Sequence, residues 1–249
     1  MKTLIIYITA LLASNISWAD RLDYATILLD TTGSMNTLRA DGSTRCDLAF
    51  QMTEDSIYEF FDDDGGQGLN IYTFGVSGNL VSITNGFTDK INALNKMTEI
   101  PRVCNQSSTA LAEAICVGSD ELRSHGNSKG TNYLTLFVMT DGKELSSQVC
   151  GGRDTIESTG YISKQWHQSV WDNIMKEPVL PVAARIFWPS ASEIPDDFEF
   201  LKVLSITSGS IRGGASGSSI QSKPSAEARS YYPPIIIPDS VIDTKSISR

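Results

Sequence analysis

Asp30, Thr32 and Ser34 lie two residues apart in the stretch Ile27-Leu28-Leu29-Asp30-Thr31-Thr32-Gly33-Ser34-Met35, directly after an apolar run. Alternate residues of an extended segment face the same side, so one carboxylate and two hydroxyls are turned toward a common point. Gly33 permits a tight turn between them. Hard oxygen donors of this kind suit Mg2+ or Mn2+. Three donors are too few for an octahedral ion, so the reading requires more oxygens from elsewhere in the chain. Thr109, in Ser107-Ser108-Thr109-Ala110-Leu111-Ala112-Glu113-Ala114, and Asp141, in Val138-Met139-Thr140-Asp141-Gly142, supply them.

These five side chains meet only if the elements before and after them bring them together. Residues 24–29 and 133–139 are nearly continuous apolar runs with β-branched and aromatic members, the pattern of parallel strands covered on both faces. Residues 179–188 form a weaker third run. Between them Leu111, Ile115, Gly118 and Leu122, and then Ile162, Trp166, Val170 and Ile174, follow helical spacing. Strands alternating with helices predict an α/β fold with a doubly wound, mostly parallel sheet flanked by helices. In such a sheet the loops at the carboxyl ends of the strands form the binding crevice, which is where Asp30 and Asp141 fall.

The other segments fit this plan. A helix is expected over 48–61, stopped by Asp62-Asp63-Asp64-Gly65-Gly66. Residues 69–74 and 80–84 read as a hairpin through Gly75-Val76-Ser77-Gly78. Short helices are expected over 89–97 and over 197–207, the second ended by Ser208-Gly209. From Gly209 the composition turns to glycine and serine, and the chain closes with Tyr231-Tyr232-Pro233-Pro234-Ile235-Ile236-Ile237-Pro238. Residues 215–249 are read as a linker and C-terminal tail, with the apolar end packed on its own domain or disordered in preference to docking on a partner.

The first nineteen residues have the form of a signal peptide: a basic start at Lys2, an apolar run over 4–13, and small residues at 17 and 19 flanking Trp18. The mature domain is expected to begin at Asp20, exported to a periplasmic or extracellular space. No later stretch has the roughly 18 apolar residues of a membrane helix, and no cysteine follows the cleavage site to carry a lipid. Loss of Lys2 takes the formal charge from −9 to −10, an electrostatic footprint that excludes nucleic acid as a partner. Cys46, Cys104, Cys116 and Cys150 form an even set in an exported chain and predict two disulfides, with three connectivities open. Their spacings do not match a zinc site.

The ordered set D-x-T-x-S, T-x-L-A-E-A and an apolar strand ending T-D-G resembles the von Willebrand factor type A (vWA) domain and its metal-ion-dependent adhesion site. The resemblance spans residues 22–214, and 200–209 is similar to that family's last helix. It implies that Asp30, Thr32, Ser34, Thr109 and Asp141 hold Mg2+ or Mn2+, with Thr32 standing where serine is commoner. It also implies a function in binding or adhesion rather than catalysis. If Asp30 and Asp141 approach within about 5 Å at an effective dielectric near 20, their repulsion is about 3 kcal/mol, which a divalent ion relieves. Five protein ligands leave one position of an octahedral ion for the Asp or Glu carboxylate of a protein partner. On the resembled fold, Cys104 and Cys150 both fall in rim loops, which favours that bridge and leaves Cys46 with Cys116. The chain is expected to act as a subunit of a larger surface or secreted assembly.

Other functions fit less well. An aspartate at a strand end also suits phosphoryl transfer or metal-dependent hydrolysis, but the haloacid dehalogenase pattern needs an acid where Thr32 stands. There is no G-x-S-x-G elbow and no P-loop, and the two histidines, His125 and His167, fall in a polar turn and beside a helical stripe. The export signal argues against an intracellular ATPase partner. A scaffold that keeps the motif with its metal site unused stands as the bland alternative. The Asp62–Asp64 run lacks the alternation of a calcium loop. Trp166 and Trp171 are expected as core and rim, and Asn105-Gln106-Ser107 is a glycosylation sequon.

Overall fold

Strand β1 (Asp23–Asp30) has an apolar run, Ile27 to Leu29, and is buried along nearly its whole length. It lies in the middle of a six-stranded sheet of order β3-β2-β1-β4-β7-β8. The other members are β2 (Gly68–Phe74), β3 (Val81–Ser82), β4 (Tyr133–Thr140), β7 (Val182–Phe187) and β8 (Ile235–Ile237). All pairings are parallel except the β2–β3 hairpin. A separate two-stranded ribbon joins β5 (Thr155–Ile156) to β6 (Ile162–Ser163). The computed structural model describes residues 23–63, 65–129, 133–142, 144–151, 155–156, 162–163, 165–188, 196–214 and 234–239. The expected signal peptide lies outside these residues.

Because successive strand residues face opposite sides, the continuous apolar runs feed two cores at once. Leu28, Leu136 and Val138 pack under helices α3 (Leu111–Lys129), α4 (Gln165–Met175) and α5 (Asp196–Gly214). Ile27, Leu29, Phe137 and Met139 pack under α1 (Arg45–Tyr58) and α2 (Lys90–Glu99) on the other face. The architecture is thus the expected α/β sandwich, a mostly parallel sheet between two helical layers. Helix α3 lies close on β1: a methyl group added at Gly118 would come within 2.8 Å of Leu28 Cδ2, so a bulkier residue would push the helix outward.

Several local expectations are corrected. Helix α1 begins three residues early because Thr44 and Asp47 form a capping box, each side chain bonding the other's backbone N–H. It continues as a π-helical turn over Glu59–Asp63. Ile162 is not in the helix that contains Trp166, since its backbone pairs with Ile156 in the β5–β6 ribbon. Helix α5 runs through Ser208 and Gly209. Ser205 Oγ donates to Val182 O (2.5 Å) and Ser208 Oγ accepts from Val182 N (3.1 Å), so the Ser208 hydroxyl is held by β7 and does not stop the helix.

The disulfide pairing also differs from expectation. The bridges are Cys46–Cys104 and Cys116–Cys150, with Cα separations of 6.1 and 6.3 Å. The sheet decides this. Cys46 and Cys104 belong to the core beneath α1, whereas Cys116 and Cys150 belong to the core beneath α3. A bridge from Cys46 to Cys116, or from Cys104 to Cys150, would have to pass through the sheet.

Part of the stretch read as a tail belongs to the sheet. Ile235–Ile237 pair in register with Arg185, Ile186 and Phe187, and Trp188 N donates to Ile237 O (3.1 Å). No helix among the described residues is long and apolar enough to cross a membrane.

Candidate metal centre

Parallel pairing places the carboxyl ends of β1 and β4 side by side, with Leu29 opposite Met139. Asp30 ends β1 and Asp141 follows Thr140, the last residue of β4, so the two acids arrive at one rim. The chain leaves β1 into a 3-10 turn, Gly33–Asn36, whose N-cap is Thr32. Thr32 makes no side-chain capping bond, which leaves its hydroxyl for other partners. Backbone bonds from Gly33 N to Gln106 O (2.8 Å) and from Gln106 N to Thr31 O (3.0 Å) lace this turn to the loop that precedes α3. Cys46–Cys104 ties the same loop to the first turn of α1. Thr109 is held by its carbonyl, which accepts from Leu145 N (2.9 Å) and Ser146 N (3.1 Å) beyond Asp141.

The five predicted residues come together at this rim, four of them linked in a chain of hydrogen bonds. Asp30 Oδ1 accepts from Thr32 N (2.9 Å), Thr32 Oγ1 lies 3.0 Å from Ser34 Oγ, and Ser34 Oγ donates to Asp141 Oδ1 (2.7 Å). Since the Ser34 proton points to Asp141, the Thr32 hydroxyl donates to Ser34. Thr109 reaches the same spot. A methyl group added at Gly142 would sit 2.7 Å from Thr109 Oγ1 and 3.1 Å from Asp30 Oδ2, so only glycine leaves the space between them open. Asp30, Thr32, Thr109 and Asp141 are buried, and Ser34 alone is exposed.

The two acids differ in their charge partners. Asp30 is fully buried and forms no ion pair among the described residues. Burial pushes its carboxyl up to about 6; the bonds from Thr140 and Thr32 pull it down, and the nearby Asp141 charge adds to the rise. Asp141 Oδ2 accepts from Arg45 Nη1 at 2.6 Å. Burial raises the Asp141 carboxyl too, against the bonds from Arg45 and Ser34.

Sequence reasoning missed three members of the site. Thr140 Oγ1 donates to Asp30 Oδ2 (2.6 Å) and accepts from Gly142 N (3.0 Å). Thr140 was visible in the T-D-G motif, but its inward direction was not. Arg45 and its second partner Asp239 carry no local signal at all, being 194 positions apart.

Both histidines lie elsewhere. His125 stacks on Phe87 and meets Tyr24 edge-on, near the start of β1. His167 stacks on Phe200, with Nε2 3.3 Å from Asp197 Oδ1. Trp166 is fully buried and Trp171 packs at the core margin, matching their core-and-rim reading. Asp62 is bound by Lys90 Nζ at 2.6 Å. Asn105 of the sequon is exposed beside the rim. Among the described residues no three His, Cys, Asp or Glu side chains converge, so a cation at this rim would depend on the three hydroxyls as well as the two acids.

No family model matches the chain, and no curated protein matches it. Solved structures do. The pilus adhesin SpaC from Lactobacillus rhamnosus GG is similar with a TM-score of 0.52 at 12% identity, over 74% of this chain and 28% of that one. The PilB minor pilin from Streptococcus sanguinis has a TM-score of 0.50 at 14% identity, over 76% of this chain and 55% of that one. The SpRpn10 VWA domain overlaps more loosely, with a TM-score of 0.49 at 10% identity, over 74% of this chain and 82% of that one. The chain thus spans about a quarter of the adhesin and about half of the pilin. At these identities the likeness is one of fold: a mostly parallel sheet between two helical layers, the architecture implied by the resemblance to the type A domain.

Proposed function

We propose that this chain is an exported binding module whose rim site, Asp30, Thr32, Ser34, Thr109 and Asp141, holds Mg2+ or Mn2+ and through it a carboxylate of a protein partner. The observation that carries the reading is the grouping of two acids and three hydroxyls at one rim: Asp30, Thr32, Ser34 and Asp141 are linked by hydrogen bonds, and Thr109 faces Asp30 across the space left open by Gly142. Hydroxyls can turn their lone pairs toward a cation, whereas amide N–H donors cannot. The donor set is all hard oxygen, which favours Mg2+ or Mn2+ over softer metals. Asp30, buried without a cationic partner, gains most from a bound ion, which would return its carboxyl to the charged form.

Five side chains leave a sixth octahedral position for a partner's Asp or Glu or for water. The pilus adhesin and minor pilin with a similar fold are consistent with a role in adhesion or as a subunit of a surface or secreted assembly. No catalysis is proposed; His125 stacks on Phe87, and His167 stacks on Phe200 and lies against Asp197.

The test is the melting temperature of the chain from Asp20, disulfides intact, in EDTA and across Mg2+ and Mn2+ titrations, beside Asp30→Ala. Metal at a hundred times its dissociation constant should stabilise the wild type by about 2.7 kcal/mol, and Asp30→Ala should abolish the shift. A wild type unmoved by millimolar metal would overturn the reading.

A further inference from the structure

Strand β8 runs parallel to β7, so the residues that leave it, Pro238 and Asp239, emerge on the same edge of the sheet as Asp30 and Asp141. The loop that follows the first ligand turn receives them. Ala40 N donates to Asp239 O (2.8 Å), and Arg39 Nη2 donates to Pro238 O (3.5 Å). Arg45 completes the junction. Its Nε and Nη2 donate to the two oxygens of Asp239 (2.8 and 2.6 Å), while Nη1 donates to Asp141 Oδ2 (2.6 Å). The guanidinium is almost wholly buried, and it forms the link between the candidate metal centre and the C-terminal strand.

We propose that Arg45 is a positioning residue that couples cation binding at Asp141 to the seating of the C-terminal segment 234–239. The proposal rests on the divalent-cation reading of the rim. A guanidinium beside a metal ligand competes with the metal for the negative charge of that ligand. Asp239 counters this by engaging two of the three donor nitrogens in a bidentate pair, which leaves Asp141 only Nη1 and offsets the positive charge. With the segment seated, Arg45 orients Asp141 at little electrostatic cost to an incoming cation. With Asp239 withdrawn, an uncompensated positive charge remains beside the ligand and the cation binds less well. Linkage makes the effect reciprocal, so the cation must tighten the docking of β8 by the same factor.

The experiment measures Mn2+ and Mg2+ affinity by calorimetry on the oxidised chain from Asp20, for the wild type, Asp239→Asn, Arg45→Gln and the double variant. Amide exchange at Trp188, whose N–H is bonded to Ile237 O, reports separately on the seating of β8. Asp239→Asn should weaken Mn2+ binding about tenfold, and saturating Mn2+ should slow wild-type Trp188 exchange by a similar factor. Arg45→Gln should bind Mn2+ no more weakly than the wild type, and in its background Asp239→Asn should cost less than about threefold. If Arg45→Gln fails to fold, Asp239→Asn and the Trp188 exchange decide between them. Wild-type Mn2+ binding with an unaltered affinity in Asp239→Asn and metal-independent Trp188 exchange would overturn the coupling alone. A wild type that binds neither ion would overturn it together with the reading of the site.

Discussion

Two acidic clusters sit on the same rim, a few residues apart in the chain, and their partners make them opposites. Glu144 is buried and saturated: Oε2 accepts from Ala112 N (2.6 Å) and Ser147 Oγ (2.8 Å), and Oε1 from Ser146 N (3.0 Å) and Ser147 N (2.7 Å). Glu113, at the start of α3, accepts from Ser77 Oγ, Gly78 N and Gln148 N. Burial raises its carboxyl, yet these bonds outweigh it and hold Glu113 below the usual range. In the Asp30–Asp141 cluster each acid keeps a hydroxyl partner: Asp30 accepts from Thr140 Oγ1 beside Thr32 N, and Asp141 from Ser34 Oγ beside Arg45 Nη1. A carboxylate tied to backbone amides has its lone pairs committed, and its work is to close loops. One tied to hydroxyls can exchange them, because each hydroxyl both donates and accepts. The kind of partner, more than the depth of burial, separates a clamp from a candidate ligand.

The contrast breaks most clearly at Glu144. Glu144→Ala strands the Ala112 amide at the start of α3 and the Ser146 and Ser147 amides of the loop after β4, at a cost of about 4 kcal/mol. Denaturant unfolding should show the same loss in EDTA and in Mg2+, because a clamp does not depend on metal. A loss seen only with metal present would put Glu144 in the other cluster.

Asp30→Asn should act in the opposite direction. The Asp30 carboxyl is raised in the folded protein from 3.8 to about 6, so between those values the folded state holds a proton the unfolded chain has released. Metal-free stability therefore falls as pH rises from about 4 to about 6, by about 3 kcal/mol in all, and is flat above. Asn carries no such charge. In EDTA at pH 7.5 the variant should be the more stable by up to that amount, with the gain vanishing near pH 4. Paired melts at the two pH values check this, and a variant less stable than the wild type at pH 7.5 would count against the buried charge.

Ser34→Ala gives the smallest effect and sharpens the comparison. Ser34 is exposed, so its loss should change metal-free stability by less than about 0.5 kcal/mol. It should weaken Mn2+ affinity about tenfold by removing one oxygen donor, measured by calorimetry at pH 7.5. Equal affinities would take Ser34 out of the ligand set.

The layered fold was legible because the runs at 24–29 and 133–139 are apolar on both faces and alternate with segments of helical spacing, as doubly covered parallel strands do. The site was legible for a related reason: Asp30 and Asp141 stand at the last turn of those runs, where topology makes strand ends neighbours. The helix boundaries were less so. Ser208-Gly209 has the local chemistry of a stop, and only the contact of Ser205 and Ser208 with Val182 explains why the helix continues. Strand β8 was hidden because three isoleucines between prolines form too short a run to reveal a partner.

The amino-acid sequence by itself determined the layered α/β plan and the placing of Asp30 and Asp141 at neighbouring strand ends, because hydrophobic period and strand-end position are local properties that survive without long-range information. The pairing of the cysteines, the return of the C-terminal segment to the sheet and the Arg45 bridge between Asp141 and Asp239 were decided by tertiary structure alone. Each depends on which face of the sheet a side chain occupies, and on two segments far apart in the chain being brought to one edge. Only the packed sheet sets those relations, by separating one core from the other and aligning its strand ends.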